Sequence, residues 1–234
     1  MVKGIAIDPG TRDIGYCYFN WMKEDSLLVL GESGIIRIKH SLDLEFRLHI
    51  LFYRIQELVT DMEVLVTENS FSNPKYPSGI TVREGLGVIK VAAVEKHVPI
   101  HLLRPEDSKL AMVGKRTASK LELAKAIEEA GIPLPSPAEV LIQKKKDHLT
   151  DAIGMVIAYC FKEKATVTIY SEKGEKLCPC LEKKRNGIGK SIPKTTKIGM
   201  STNTVPAKKK AMKKESSTGK RKKEESHIPP SFSS

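Results

Sequence analysis

Much is missing from this chain, and each absence narrows what it can be. There are four cysteines in 234 residues, too few for a disulfide scaffold. Cys17 and Cys160 lie in apolar segments and read as buried thiols. Cys178-Pro179-Cys180 are too close for an ordinary disulfide and lack the spacing of a zinc site, so reduced thiols are expected. No apolar run reaches membrane-spanning length, so no membrane partner is expected. The first strand begins almost at the start of the chain, which leaves no room for a signal peptide, and the expectation is an intracellular protein. There is no internal repeat. Gly85-Leu86-Gly87 is no phosphate loop, because it follows no strand and sits inside an apolar helical pattern.

The charge is unevenly placed. The formal net charge is +11. From Leu181 onward there are 15 Lys or Arg against 4 acids, which leaves 24 of each sign in residues 1–180. The body is therefore neutral, and the whole excess lies in the tail. A basic tail implies an anionic polymer or surface as partner, and an anion site in the body must be a local patch.

Hydrophobic periodicity gives the order of elements. Residues 2–8, 14–20 and 27–37 read as three strands joined by short gaps, an antiparallel meander. Leu44, Leu48, Leu51, Ile55, Leu58 and Val59 recur at helical spacing over 42–60. Glu63–Thr67 is a fourth strand, closed by Glu68, and a loop follows. A helix rich in small residues occupies 80–96, and 98–103 is a fifth strand. Pro105-Glu106-Asp107 starts a short helix. Another opens at Thr117–Lys120 and stops at Gly131. Residues 134–146 read as a loop ending in three lysines, and a last helix runs from about Asp147 to Phe161. Residues 166–170 form a candidate extra strand, with a turn at Lys173-Gly174. The expected fold is α/β, a mixed five-stranded sheet flanked by helices. Residues 1–164 form its domain, 165–182 an extension and 183–234 a disordered Lys/Ser-rich tail.

Gly4-Ile5-Ala6-Ile7-Asp8-Pro9-Gly10-Thr11 is a buried strand ending in one acid beside a tight turn. A charge at the end of a buried strand asks for a ligand. Asp8 is thus a candidate metal ligand, or else a turn aspartate bonded to its own backbone. Glu68 closes another strand. The last helix opens Asp147-His148-Leu149-Thr150-Asp151. At about 100° per residue, 148 and 151 lie within about 60° of each other, and 147 and 151 within about 40°. Three carboxylates and one further oxygen or nitrogen ligand suit hard divalent cations, a pair of which can activate water for phosphodiester cleavage.

With these residues in view, the chain resembles the RuvC-type Holliday-junction resolvases, which have a ribonuclease-H-like fold. The resemblance covers about residues 3–162 and rests on five places. The first is the Gly4–Thr11 strand and turn. The second is Glu68 with Phe71, an aromatic said to wedge into the junction. The others are the helix at Gly87–Ala93, the basic stretch Val113–Lys120, and the helix start His148–Ala152. It implies a metal-dependent endodeoxyribonuclease that resolves four-way DNA junctions by paired symmetric nicks, in recombination and repair. It implies Asp8, Glu68, His148 and Asp151 as ligands of two Mg2+ ions, with Mn2+ as a substitute. Relatives carry either an acid or a histidine at the place of His148. Asp147 is either the helix N-cap, which is favoured, or an alternative fourth ligand.

The resemblance further implies a homodimer, joined through the helix at 80–96, acting on branched DNA. Lys120 is a catalytic candidate. Phe71, Lys109, Lys115, Arg116 and Lys120 are candidate DNA contacts. The tail adds phosphate contacts or a nuclear address at 220–223. The compartment would be cytoplasmic or nucleoid, or a nuclear or viral-replication compartment of a host cell. Three rivals stay open. One is a non-cleaving binder of branched DNA, and another a related nuclease of flaps or RNA–DNA hybrids. The third is a nucleotide hydrolase of the actin and sugar-kinase type, for which the chain is short and lacks a second phosphate loop.

Overall fold

Strand β1 (Val2–Ile7) is buried from Gly4 onward, which is why it reads as a continuous apolar run. Its side chains still alternate: Ala6 points into one core, and Ile5 and Ile7 into the other. The computed structural model describes residues 1–69, 77–144, 147–164 and 166–177. Phe71, Cys178, Cys180 and the basic tail lie outside the described residues.

β1 pairs antiparallel with β2 (Asp13–Met22), which pairs antiparallel with β3 (Leu27–Arg37), so the expected meander is present. Helix α1 (Leu44–Val59) leads to β4 (Val64–Glu68), parallel to β1. Helix α2 (Pro77–Glu95) leads to β5 (Ile100–Leu103), parallel to β4. Then come α3 (Pro105–Val113), α4 (Lys120–Glu129), α5 (Ala138–Gln143) and α6 (His148–Glu163). β6 (Thr168–Ser171) and β7 (Lys176–Leu177) close the described chain.

Two readings of the sequence are corrected. The sheet has seven strands, in the order β5-β4-β1-β2-β3-β6-β7, not five. β3 would otherwise leave a long free edge. β6 pairs with Leu27–Leu30, and a turn at Gly174 (φ 77°) returns β7 along β6. The stretch set apart as an extension thus completes the sheet. The loop read over 134–146 also holds α5. Ala138 and Leu141, three residues apart, bury one side of it, and Glu139 reaches Lys125 of α4 at 2.7 Å.

Helices cover both faces. One core gathers Ala6, Cys17, Phe19, Trp21 and Val66 under α3, α4 and α6. The other gathers Ile5, Ile7, Ile14 and Leu65 under α1 and α2. Cys17 and Cys160 are buried free thiols, and burial pushes the Cys17 thiol up to about 12. α6 is buried on nearly all sides, and so it fixes the groups at its first turn.

Candidate active site

The site lies at the end of the sheet where β1 and β4 stop. Asp8 follows the last residue of β1 and is 7% exposed. Its N–H donates to the Gly15 carbonyl at 2.9 Å, which carries the pairing with β2 one step beyond the strand. Thr67 Oγ1 donates to the Ile7 carbonyl at 2.8 Å and ties the end of β4 to the end of β1. Glu68 is therefore held beside Asp8. Asn69 N–H, donating to the Leu103 carbonyl at 2.7 Å, anchors the exit from β4.

The first turn of α6 comes in against this sheet end. A Cβ on Gly15 would stand 1.9 Å from the His148 carbonyl oxygen, so only glycine lets β2 and α6 approach this closely. His148 Nδ1 and Asp8 Oδ2 are 2.6 Å apart. That hydrogen bond raises the pKa of the imidazole, while burial opposes the rise. With its proton on Nδ1, the neutral ring keeps a lone pair on Nε2.

Lys120 enters from α4. The sequence Ser119-Lys120-Leu121-Glu122 forms a capping box: Ser119 Oγ accepts from Glu122 N–H at 3.2 Å, and Glu122 Oε2 accepts from Ser119 N–H at 2.6 Å. This sets Lys120 at the first helical position. Its ammonium bonds to Asp147 and, at 3.0 Å, to Asp151. Burial weakens that charge, but Asp151 and Asp147 overcome the effect and raise the lysine's pKa. The favoured cap role of Asp147 is not what the structure has. Asp147 stands at the N-cap position in an α-helical conformation, and its side chain makes no cap hydrogen bond. The carboxylate turns to Lys120 instead, which holds its pKa low against burial.

Asp8, Glu68, His148, Asp151, Lys109 and Lys120 line one cleft of about 240 Å³, together with Pro9, Val82 and Pro105. The acids crowd each other there. Burial, then the charges of Asp8 and Asp151, push the Glu68 carboxyl up to about 8. Burial, then Asp8, push Asp151 up to about 6. Among the described residues no three acid, imidazole or thiol groups close into a finished cage. The donors ring an open cleft, which fits a small hard cation that keeps waters and shares its remaining positions with a substrate phosphate. Carboxylates pressed together without enough positive charge are the donor set such an ion satisfies.

Lys115 and Arg116 are not part of this cleft. They are exposed and face Glu122 at 3.6 Å and Glu106 at 3.9 Å. Sequence reasoning took Pro105 only as a helix start and did not single out Gly15 or Val82. Gly15 carried a signal, a glycine inside an otherwise apolar strand. Val82 and Pro105 carried none.

A mixed sheet with helices on both faces, acids closing two neighbouring parallel strands and a further acid on a late helix together define a ribonuclease-H-like protein. The chain belongs to the family of crossover junction endodeoxyribonuclease RuvC, whose model matches residues 4–159. It is 28% identical over 165 residues to the enzyme of that name from Dictyoglomus thermophilum, covering 68% of this chain and 96% of the relative. A second such enzyme, from Methylococcus capsulatus, is 30% identical over 125 residues, covering 53% and 73%. Among solved structures, Thermus thermophilus RuvC in complex with a Holliday junction substrate superposes with a TM-score of 0.56 at 24% identity, over 69% of this chain and 94% of that one. That likeness carries the fold.

Proposed function

We propose that this chain is a divalent-metal-dependent endonuclease that resolves four-way DNA junctions, with Asp8, Glu68, His148 and Asp151 holding two Mg2+ ions that Mn2+ can replace. The observation that carries this is the single cleft in which those four groups meet Lys109 and Lys120. Membership of the family supplies the reaction class. Bound divalent cations would supply an activated water and stabilise the leaving oxygen.

The protein's own residues do the rest. Asp8 and Glu68 hold fixed positions because the ends of β1 and β4 are tied together. His148 keeps its ring oriented through Asp8, leaving Nε2 to bind metal or take a proton. Lys120 stays protonated, so it works as a charge against a phosphate and not as a base. Lys109 lines the same cleft as a second such charge. Paired nicks ask for a two-fold pair of sites. Helix α2 leaves Ile80, Val91 and Val94 exposed, an apolar face able to join two copies. Lys115 and Arg116 are assigned to the DNA outside the cleft, Phe71 is assigned to the DNA as well, and residues 1–164 to the nuclease domain, whose sheet β6 and β7 complete, acting inside the cell.

A cleavage panel of four-way junction, flap, duplex and RNA–DNA hybrid, with Mg2+ or Mn2+, tests the reading. Paired nicks in the junction are expected. Correctly folded protein that cuts no branched DNA would overturn it, and a preference for flap or hybrid would move the substrate.

A further inference from the structure

We propose that Arg12, Arg37, Lys39 and His40 form a second phosphate-contacting surface, which grips the duplex arm beyond the cleft. This rests on the junction-nuclease reading and adds residues to it. Two loops bring the four side chains to one corner. Asp13 at the start of β2 stands opposite Arg37 at the end of β3, and Ile38 N–H donates to the Arg12 carbonyl at 2.8 Å. Arg12 Nη1 lies 2.5 Å from His40 Nε2. A guanidinium can only donate, so the ring accepts on Nε2 and carries its proton on Nδ1, where it can donate outward. All four residues are exposed.

The corner is on the cleft's side of the molecule. β1 and β2 are antiparallel and Asp8 is bonded to Gly15, so the start of β2 and the end of β3 share the sheet end that carries Asp8. Two strand spacings of about 4.8 Å and two residue rises of about 3.3 Å put the Arg37 backbone roughly 12 Å from that of Asp8. On a duplex this is about three to four steps of about 3.4 Å.

Charge separates this corner from the basic stretch at 109–120. There Lys115, Arg116 and Lys120 are already matched to Glu122, Glu106 and the pair Asp147 and Asp151. At the corner Arg37 has an exposed partner, Asp13, at 3.6 Å, and such a contact yields easily to a phosphate. Among the described residues neither Arg12 nor Lys39 has an ion-pair partner, although the acids Asp43 and Glu45 are close in sequence. Just beyond, in the first turn of α1, Arg47 is buried with its Nε bonded to no acceptor among the described residues. An anion at this corner meets positive charge that the protein does not neutralise itself.

The test uses the full chain. Junction binding is measured without divalent metal over a salt series, and cleavage with Mg2+, for wild type and for Arg12→Gln with Lys39→Gln. Wild type should bind and cut. The double variant should bind about tenfold more weakly at physiological salt, with a log–log salt slope smaller by about two, since each lost phosphate contact removes about 0.9. Its KM should rise while kcat holds, and Arg12→Lys with Lys39 kept should bind as wild type does. Lys39→Gln alone, at an exposed unpaired side chain, should lower the slope by about one. A comparison pair, Lys3→Gln with Lys176→Gln, should leave the slope unchanged. A double variant with the wild-type slope, or a comparison pair that weakens binding as much, would overturn the corner's role while wild type still cuts. Wild type that binds no junction would overturn the nuclease reading, and the corner with it.

Discussion

The two sides of the cleft meet negative charge in different ways. On one side Asp8 has a histidine, which shares a proton and leaves a nitrogen for other work. On the other, Asp147 and Asp151 share one lysine that cannot give up its proton near neutrality. Glu68 sits between these arrangements with no hydrogen-bonded cation among the described residues, and its carboxyl is the one pushed furthest, to about 8. The cleft is thus balanced at its α4 edge and short of positive charge along the strand ends. A divalent ion at the strand ends would relieve that shortage, and a phosphate entering the cleft would meet Lys120 and Lys109 in its lining.

The largest effect should come from breaking the strand-end side. Asp8→Asn keeps the side chain's size and removes its charge. Cutting should fall by about 10³-fold or more while junction binding stays near wild type. Cleavage within tenfold of wild type would mean that Asp8 holds no metal. Breaking the other side should cost less. Lys120→Met keeps the apolar stem and removes the ammonium, and cutting should fall by about 10²-fold. Without that lysine Asp151 should titrate higher still, so the acid limb of the pH–rate profile should move up. An unmoved profile would show that Lys120 and Asp151 act independently in solution.

How much of this was legible in the sequence follows the same division. The strand-end acids were legible, because an acid closing a buried apolar run is a local pattern: Asp8 closes one just before Pro9-Gly10, and Glu68 closes another. The helix pair was only half legible. Helical spacing placed Asp147 and His148 near Asp151, but it could not tell which would turn to a neighbour from another element. The capping preference favoured Asp147 as the N-cap, and a lysine 27 residues earlier claimed it instead. Helix α5 and the β6–β7 hairpin were missed or half seen for a similar reason. Both are short, and both are held by other elements, α5 by the preceding α4 and the hairpin by β3, far back along the chain. Gly15 shows the limit most plainly. Its lack of a side chain matters only because α6 arrives from 133 residues away.

That contact gives a third prediction. Gly15→Ala places a methyl where the His148 carbonyl stands, and backbone on both sides cannot yield cheaply. Unfolding free energy should drop by about 1–3 kcal/mol, and cutting should fall as His148 shifts against Asp8. A variant with wild-type melting and wild-type rate would show that the helix start is free to move.

The smallest effect bears on the charge shortage itself. Glu68 and Asp151 titrate near 8 and 6 in the folded protein, above their ordinary 4.5 and 3.8. A carboxyl raised by folding favours the folded state in full below its ordinary value. That contribution is lost as pH rises through the raised one. Metal-free protein should therefore lose stability between about pH 4 and pH 8 from these two groups. A divalent ion binds the ionised pair, so its stabilising effect should grow over the same range. Mg2+ at about ten times its Kd adds about 1.4 kcal/mol, or roughly 3–5 °C in Tm. Melting curves with and without Mg2+ should show that gain at pH 8 and little of it at pH 5. An equal gain at both would place the ion away from Glu68 and Asp151, and the strand ends would then owe their crowding to something other than a metal.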